Sequence, residues 1–224
     1  MADGVAALVL VADGRFPTGA HAHSGGLEAV VAAGRVRDIA SLEAFLIGRA
    51  ATGGLVAASF AAAACQAATD GDATRLGELD GELDARIPSP ALRAASRKLG
   101  RQMLRAAQAI RPHPALPTPA NRPHQPIAFG AACAGFGLGP RATALAALHD
   151  ALAGAATAAV RLLGLDPFAA HAALARRGQQ LDECAAEAAT YAQAAPHELP
   201  ALGAPLIDVS NEHHATWEVR LFAS

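Results

Sequence analysis

From Ala50 to Thr69 the chain carries no charged side chain, and half of that stretch is alanine. Alanine has the best helix propensity of all residues and a weak preference for strands, so the stretch reads as helix. Its length would reach across a bilayer. However, Thr52, Gly53, Gly54, Ser59, Gln66 and Thr69 interrupt it, and alanine supplies little transfer energy compared with leucine or isoleucine. The expectation is a core helix of a water-exposed protein, with no membrane partner. A helix so smooth is best covered by neighbours that approach closely through small faces. The composition agrees, because 52% of the residues are hydrophobic but only 4% are aromatic. A chain of 224 residues built this way has ample apolar content for one core.

The punctuation around that helix predicts an all-α fold of about nine to ten helices in a single domain over 1–224. Val5 to Ala12 is a short apolar helix. Asp13-Gly14 and Pro17-Thr18-Gly19 form a turn, and a helix follows from Ser24, a capping residue, to Gly34. Ser41 caps a helix that Gly53-Gly54 ends, and the core helix runs from Leu55 to Ala68. The segment Ala73 to Arg86 is helical and acidic, with Glu78, Asp80, Glu82 and Asp84. Ser89-Pro90 starts a long helix with Leu92, Leu99, Met103 and Ile110 on one face and Arg93, Arg97, Arg101 and Arg105 on another. Six prolines between Arg111 and Pro126 rule out a helix interior there, so 111–126 is expected to be an exposed connector inside the one domain. Ile127 to Phe136 is a glycine-interrupted apolar helix that can bury tightly where a glycine admits a neighbouring backbone. Pro140 opens a helix closed by Gly164, and Asp166-Pro167 opens another to about Ala194. The segment 205–224 is a short amphipathic tail in which Trp217, Leu221 and Phe222 must pack on something.

Several classes of function are excluded. A net charge of −2 and a pI near 6.5 give no general attraction to phosphate backbones, so nucleic acid is not an expected partner. There is no GxxxxGK[ST] motif, so the chain does not hydrolyse nucleotide itself. Cys65, Cys133 and Cys184 are odd in number and far apart, as expected of buried thiols in a reducing cytosol. Asp3 stands where a secretory leader would be basic, and Asp13 breaks the apolar run, so a cytoplasmic protein is expected.

Four groups of residues could carry function. His21 and His23, with His213, are weak candidates for a metal site, and with Glu212 they could in another reading serve a helical metal-dependent hydrolase. Against that reading, no HExxH or CxxC spacing supports a catalytic metal. Glu28 suits the first turn of a helix, where the dipole favours an acid. The Arg97 and Arg101 ridge is either a solvated face neutralised by the acidic segment before it or a docking surface for an acidic partner. Charge reversal at both is expected to leave the fold intact. Arg220, flanked by Leu221 and Phe222, either grips a partner's carboxylate or clamps the tail to the chain's own Asp13 or Glu28.

The run from Phe16 to Glu28 (Phe-Pro-Thr-Gly-Ala-His-Ala-His-Ser-Gly-Gly-Leu-Glu) resembles the amino-terminal signature of the urease accessory protein family UreF. Asp208 to His214 and Arg220 to Ser224 resemble the family's ending. Between them the likeness is one of helical pattern and length. Where relatives often have a Gly-Gln pair, this chain has Asp-Pro-Phe-Ala-Ala-His at 166–171, so no local contact is carried over there. The resemblance implies a non-enzymatic homodimer that joins UreD (also called UreH), recruits the GTPase UreG and helps deliver nickel to apo-urease, aiding carbamylation of its lysine. It implies nickel in transit and no stably bound cofactor. It also marks Arg220, Leu221, Phe222 and Ser224 as a partner-sensitive tail, and His21, His23, Ser24 and Glu28 as an organised junction of loop and helix.

Overall fold

Helix α4 (Leu55–Asp70) is the axis of the fold, and nearly every side chain from Leu55 to Ala68 is buried. The computed structural model describes residues 4–114, 116–118 and 121–223. Before α4 come α1 (Val5–Ala12), α2 (Leu27–Ala32) and α3 (Ile39–Arg49); after it come α5 (Ala73–Ala85), α6 (Pro90–Ile110) and α7 (Gln125–Gly135). The chain then forms α8 (Pro140–Leu163), α9 (Pro167–Ala175), α10 (Gly178–Thr190) and α11 (Pro205–Ala215). No strand occurs among the described residues, and the all-α expectation holds.

One face of α4 meets α5 and α7, with α6 behind α7; the other meets α8 and α10. Phe60, Ala61 and Ala64 feed the first side of the core, and Leu55, Ala58 and Ala62 feed the second. Two rods, Ile39–Asp70 and Pro140–Leu163, are long and apolar enough to cross a membrane by length and composition, but here both contribute to this core. The closest approach is to α7. A Cβ on Gly130 would fall inside the contact shell of the Ala61 carbonyl oxygen, so only glycine lets the two backbones touch. Gly100 does the same for α6 beneath the Pro123 carbonyl. Cys65 and Cys133 are buried in this layer as free thiols, and burial pushes both upward from the ordinary thiol value.

The structure departs from the pattern reading in four places. Gly53-Gly54 does not end the helix before α4. Ala50–Gly54 forms a π turn with a non-helical Thr52 (φ −121°, ψ −106°), which joins α3 and α4 into one bent rod. Glycine removes side-chain obstruction but does not force a break when flanking turns are held by packing. Second, Asp38 rather than Ser41 caps α3; the two form a reciprocal capping box, Ser41 N–H donating to Asp38 Oδ1 at 2.8 Å. Third, the expected helix from Asp166 to Ala194 is two helices broken at Arg176-Arg177. Fourth, α2 starts at Leu27 rather than at Ser24, while the amphipathic tail expected at 205–224 is helical over Pro205–Ala215. The connector 111–126 is exposed at Arg111 and Pro112, yet Leu116, Pro123, His124 and Pro126 are buried, so it is woven into the fold. Ala115, Pro119 and Ala120 of that span lie outside the described residues.

Gly130→Ala should destabilise the protein by about 3 kcal/mol, at the upper end of the cost of overpacking a rigid core, as measured by urea unfolding. Gly77→Ala on α5 meets open space and should be neutral or slightly stabilising in the same assay.

Candidate functional site

The two ends of the chain meet at one carboxylate. The turn after α1 is fixed by Asp13, whose Oδ1 accepts the Arg15 N–H at 2.9 Å, and a 3-10 turn over Ala20–Ala22 leads to Ser24. Gly25 and Gly26 follow with φ of +62° and +88°, a region that side chains with a Cβ rarely adopt. Both are also crowded. A Cβ at Gly25 would strike the Arg49 guanidinium, whose Nη1 donates to the Gly25 carbonyl at 2.6 Å, and a Cβ at Gly26 would strike Asn211. The double glycine delays the start of α2 to Leu27. Ser24 still caps it, because its buried Oγ accepts the Glu28 N–H at 3.2 Å.

Glu28 then sits in the first turn of α2, only 7% exposed. Helix α11 lies across α2 and α6 and brings His214 to it, Nε2 to Oε2 at 2.9 Å. The next helix-side neighbour, Glu212, accepts hydrogen bonds from the Ser89 hydroxyl and the Ala91 N–H, which ties α11 to the start of α6. Beyond Trp217 the tail turns back, and the Leu221 and Phe222 N–H groups donate to Glu28 at 2.8 and 3.0 Å. Ala223 N–H donates to the Ala22 carbonyl at 2.7 Å. The Phe222 ring is buried in the second side of the core, under the Arg161 guanidinium at 4.7 Å. Burial by itself pushes the Glu28 carboxyl up, but the hydrogen bonds from Leu221, His214 and Phe222 outweigh it and hold the group below the ordinary carboxylate value.

Glu28 therefore does clamp the tail, but through main-chain amides and not through Arg220. Arg220 is exposed and makes no ion pair among the described residues; Val219 and Leu221 beside it are also exposed, at 86% and 63%. The anchoring of one face presents the other to solvent. Ser224 lies outside the described residues. Sequence reasoning gave Glu28 a helix-dipole role and missed its tail amides, because a contact across 193 positions leaves no local spacing. His214 and Asn211 were missed for the same reason. The Gly-Gly pair was the only available signal that something packs closely there.

The metal candidates do not converge. Among the described residues no group of three histidine, cysteine or acidic side chains could hold a metal ion. His21 is exposed, and His23 is half-buried, where burial and then the nearby Lys98 and His21 lower its pKa. His213 is exposed and receives the Trp217 Nε1–H at 3.3 Å, while Glu212 is spent on capping α6. On the basic ridge, Arg97 donates to Asp80 at 3.0 Å, to Asp84 at 2.7 Å and to the Arg122 carbonyl. The same carboxylates hold buried His124, by its N–H (2.7 Å to Asp80) and by Nε2 (2.9 Å to Asp84). Arg101 is exposed. Within the ridge, and among the described residues, the acidic segment thus pairs with Arg97 and not with Arg101.

The chain matches the family model described as UreF over residues 36–178. It is 42% identical to the urease accessory protein UreF of Mycolicibacterium vanbaalenii and 43% identical to that of Mycobacterium marinum. Each alignment spans 220 residues, 98% of this chain and 99% of the relative. The Mycobacterium tuberculosis UreF is 40% identical over the same share. The family model covers the helical middle, and the full-length alignments extend the likeness to both ends that meet at Glu28.

Glu28→Gln leaves one tail amide facing an NH2 group and should cost about 2 kcal/mol, the worth of a hydrogen bond to a charged acceptor. Because the folded carboxyl is depressed, its stabilisation is present above the unfolded carboxyl value near 4.3 and is lost as pH falls through the folded one. Unfolding curves of wild type and Glu28→Gln should therefore differ at neutral pH and converge in acid. On the ridge, Arg97→Glu should lower stability by about 1 to 2 kcal/mol through repulsion from Asp80 and Asp84, and Arg101→Glu should be neutral. Both reversals are still expected to leave the fold intact, with the cost falling on Arg97, and thermal unfolding of the two single variants checks it.

Proposed function

Because the chain belongs to the UreF family of urease accessory proteins, we propose that it is a cytoplasmic, homodimeric scaffold that bridges UreD (UreH) and the GTPase UreG during nickel delivery to apo-urease. Accessory proteins of this family are non-catalytic maturation factors, and this chain is not an enzyme. Its work in this reading is binding, with nickel carried by the assembly as cargo and meeting His21, His23 or His213 only in transit.

The observation that carries the reading is the form of the tail. Hydrogen bonds to Glu28 and burial of Phe222 fix its course, which leaves Val219, Arg220 and Leu221 presented outward at no further ordering cost. An exposed arginine between two exposed aliphatic side chains suits a partner's carboxylate set in an apolar pocket. Arg101, exposed and without an ion pair among the described residues, offers a second contact to an acidic partner, with Arg97 held against Asp80 and Asp84 beside it.

Co-expression with the matching UreD and UreG should give a shared size-exclusion peak. The double variant Arg220→Ala, Leu221→Ala should keep the wild-type unfolding midpoint to within about 0.5 kcal/mol, since both side chains are exposed, yet lose that peak and urease activation. Wild-type assembly and activation by the double variant would remove the tail from the interface.

A further inference from the structure

A cavity of about 660 Å³ separates the Gly25 loop, the π turn, the middle of α8 and the Phe222 end of the tail. Its walls are mostly small or apolar, among them Ala57, Ala153, Ile207 and Phe222, yet Arg49, His149 and Asp150 border it together. These polar groups are incompletely satisfied. Among the described residues Arg49 makes one hydrogen bond, Nη1 to the Gly25 carbonyl, and its Nε is sealed from solvent without a partner. His149 Nδ1 is likewise sealed and unpartnered, and Asp150 makes neither an ion pair nor a side-chain hydrogen bond among the described residues. Arg49 and Asp150 are close enough to influence each other's charge but form no ion pair.

Arg86 on the same cavity also has a sealed Nε without a partner, but the other arginines here have their charge engaged. Arg86 pairs with Glu82 and donates to the Leu199 carbonyl, Arg15 pairs with Asp13, and Arg161 lies over the Phe222 ring. A withdrawn guanidinium is normally matched by a carboxylate, because an unmatched one forfeits its hydration without return. Among the described residues Arg49 makes its hydrogen bond to a neutral carbonyl, and Asp150 acts on it without an ion pair. Its planar fork still has Nη2 free of any hydrogen bond among the described residues, and the space beside it is open.

We propose that this cavity is a binding site for a small planar oxyanion of the carboxylate or hydrogencarbonate class, held by the Arg49 guanidinium with Asp150 and His149 on the opposite side. The fork geometry of arginine favours such a planar anion with two oxygens on one edge. Burial raises the Asp150 carboxyl, and the neighbouring His149 and Arg49 work against that shift, so its charge is the least favoured of the groups bordering the space. The inference goes beyond the assembly reading and does not depend on it. It also places the ligand against Phe222 and Ile207, so occupancy would stiffen the same end of the chain that presents Arg220.

The test uses the full chain and formate, acetate and hydrogencarbonate as probes, each against chloride at matched ionic strength, read by calorimetric titration and by the unfolding midpoint. A single saturable site with a raised midpoint is expected for at least one probe and not for chloride. Gly154, one turn after Asp150 on α8, borders the cavity, and a Cβ there meets nothing within 4 Å. Gly154 is exposed, so Gly154→Leu should narrow the rim of the space without disturbing the fold and weaken binding by about tenfold or more. Arg49→Gln should weaken it similarly, with circular dichroism checking that loss of the Gly25 contact has not unfolded the chain. Absence of saturable binding beyond chloride, or wild-type affinity in a folded Gly154→Leu variant, would overturn the site.

Discussion

The contact on which the architecture rests is the touch of α4 and α7 backbones at Gly130. An alanine-rich helix offers little side-chain volume, so dispersion contacts accumulate only if its neighbours come close. Gly130 beneath the Ala61 carbonyl and Gly100 beneath the Pro123 carbonyl provide that closeness for α7 and α6 in turn. With α4 wedged against α7 on one side and α8 and α10 on the other, the bundle has fixed surfaces on which α2 and α11 can be laid. The precision of the hydrogen bonds at Glu28 is inherited from that packing.

Glu28 shows how a buried charge can organise function without performing chemistry. Its oxygens are committed to two tail amides and one imidazole, so nothing is left to abstract a proton from a substrate. In exchange the carboxylate converts a polar terminal segment into a defined surface. The Phe222 ring supplies the apolar part of the same anchor, and the double glycine supplies the room for α11 to reach Glu28. A residue that suits a helix's first turn in the sequence is here the anchor of the chain's own tail.

Local patterns made much of this visible in the sequence. Pro140 and Gly164 bound α8 as written, Ser89-Pro90 starts α6, and the uncharged run around Phe60 is the core helix. The Ser24 cap was legible, as was the need for Phe222 to pack. The pattern failed where tertiary packing overrides local preference. The Gly53-Gly54 pair is carried through a π turn, and α2 starts at Leu27 rather than at Ser24 because Gly25 and Gly26 are held at positive φ against Arg49 and Asn211. Long-range partners such as His214 and Glu28 cannot be read from spacing at all, since they share no periodicity. Arg97 and Arg101 repeat at the same interval, yet only the first faces carboxylates.

Glu28 holds the tail in the free chain, before any partner arrives. Amide hydrogen exchange at Leu221 and Phe222 measures this directly, because both N–H groups are committed to the carboxylate. These two amides should be strongly protected while those of Glu218 and Val219 exchange freely. Exchange of Leu221 and Phe222 at the rate of an unstructured terminus would contradict it.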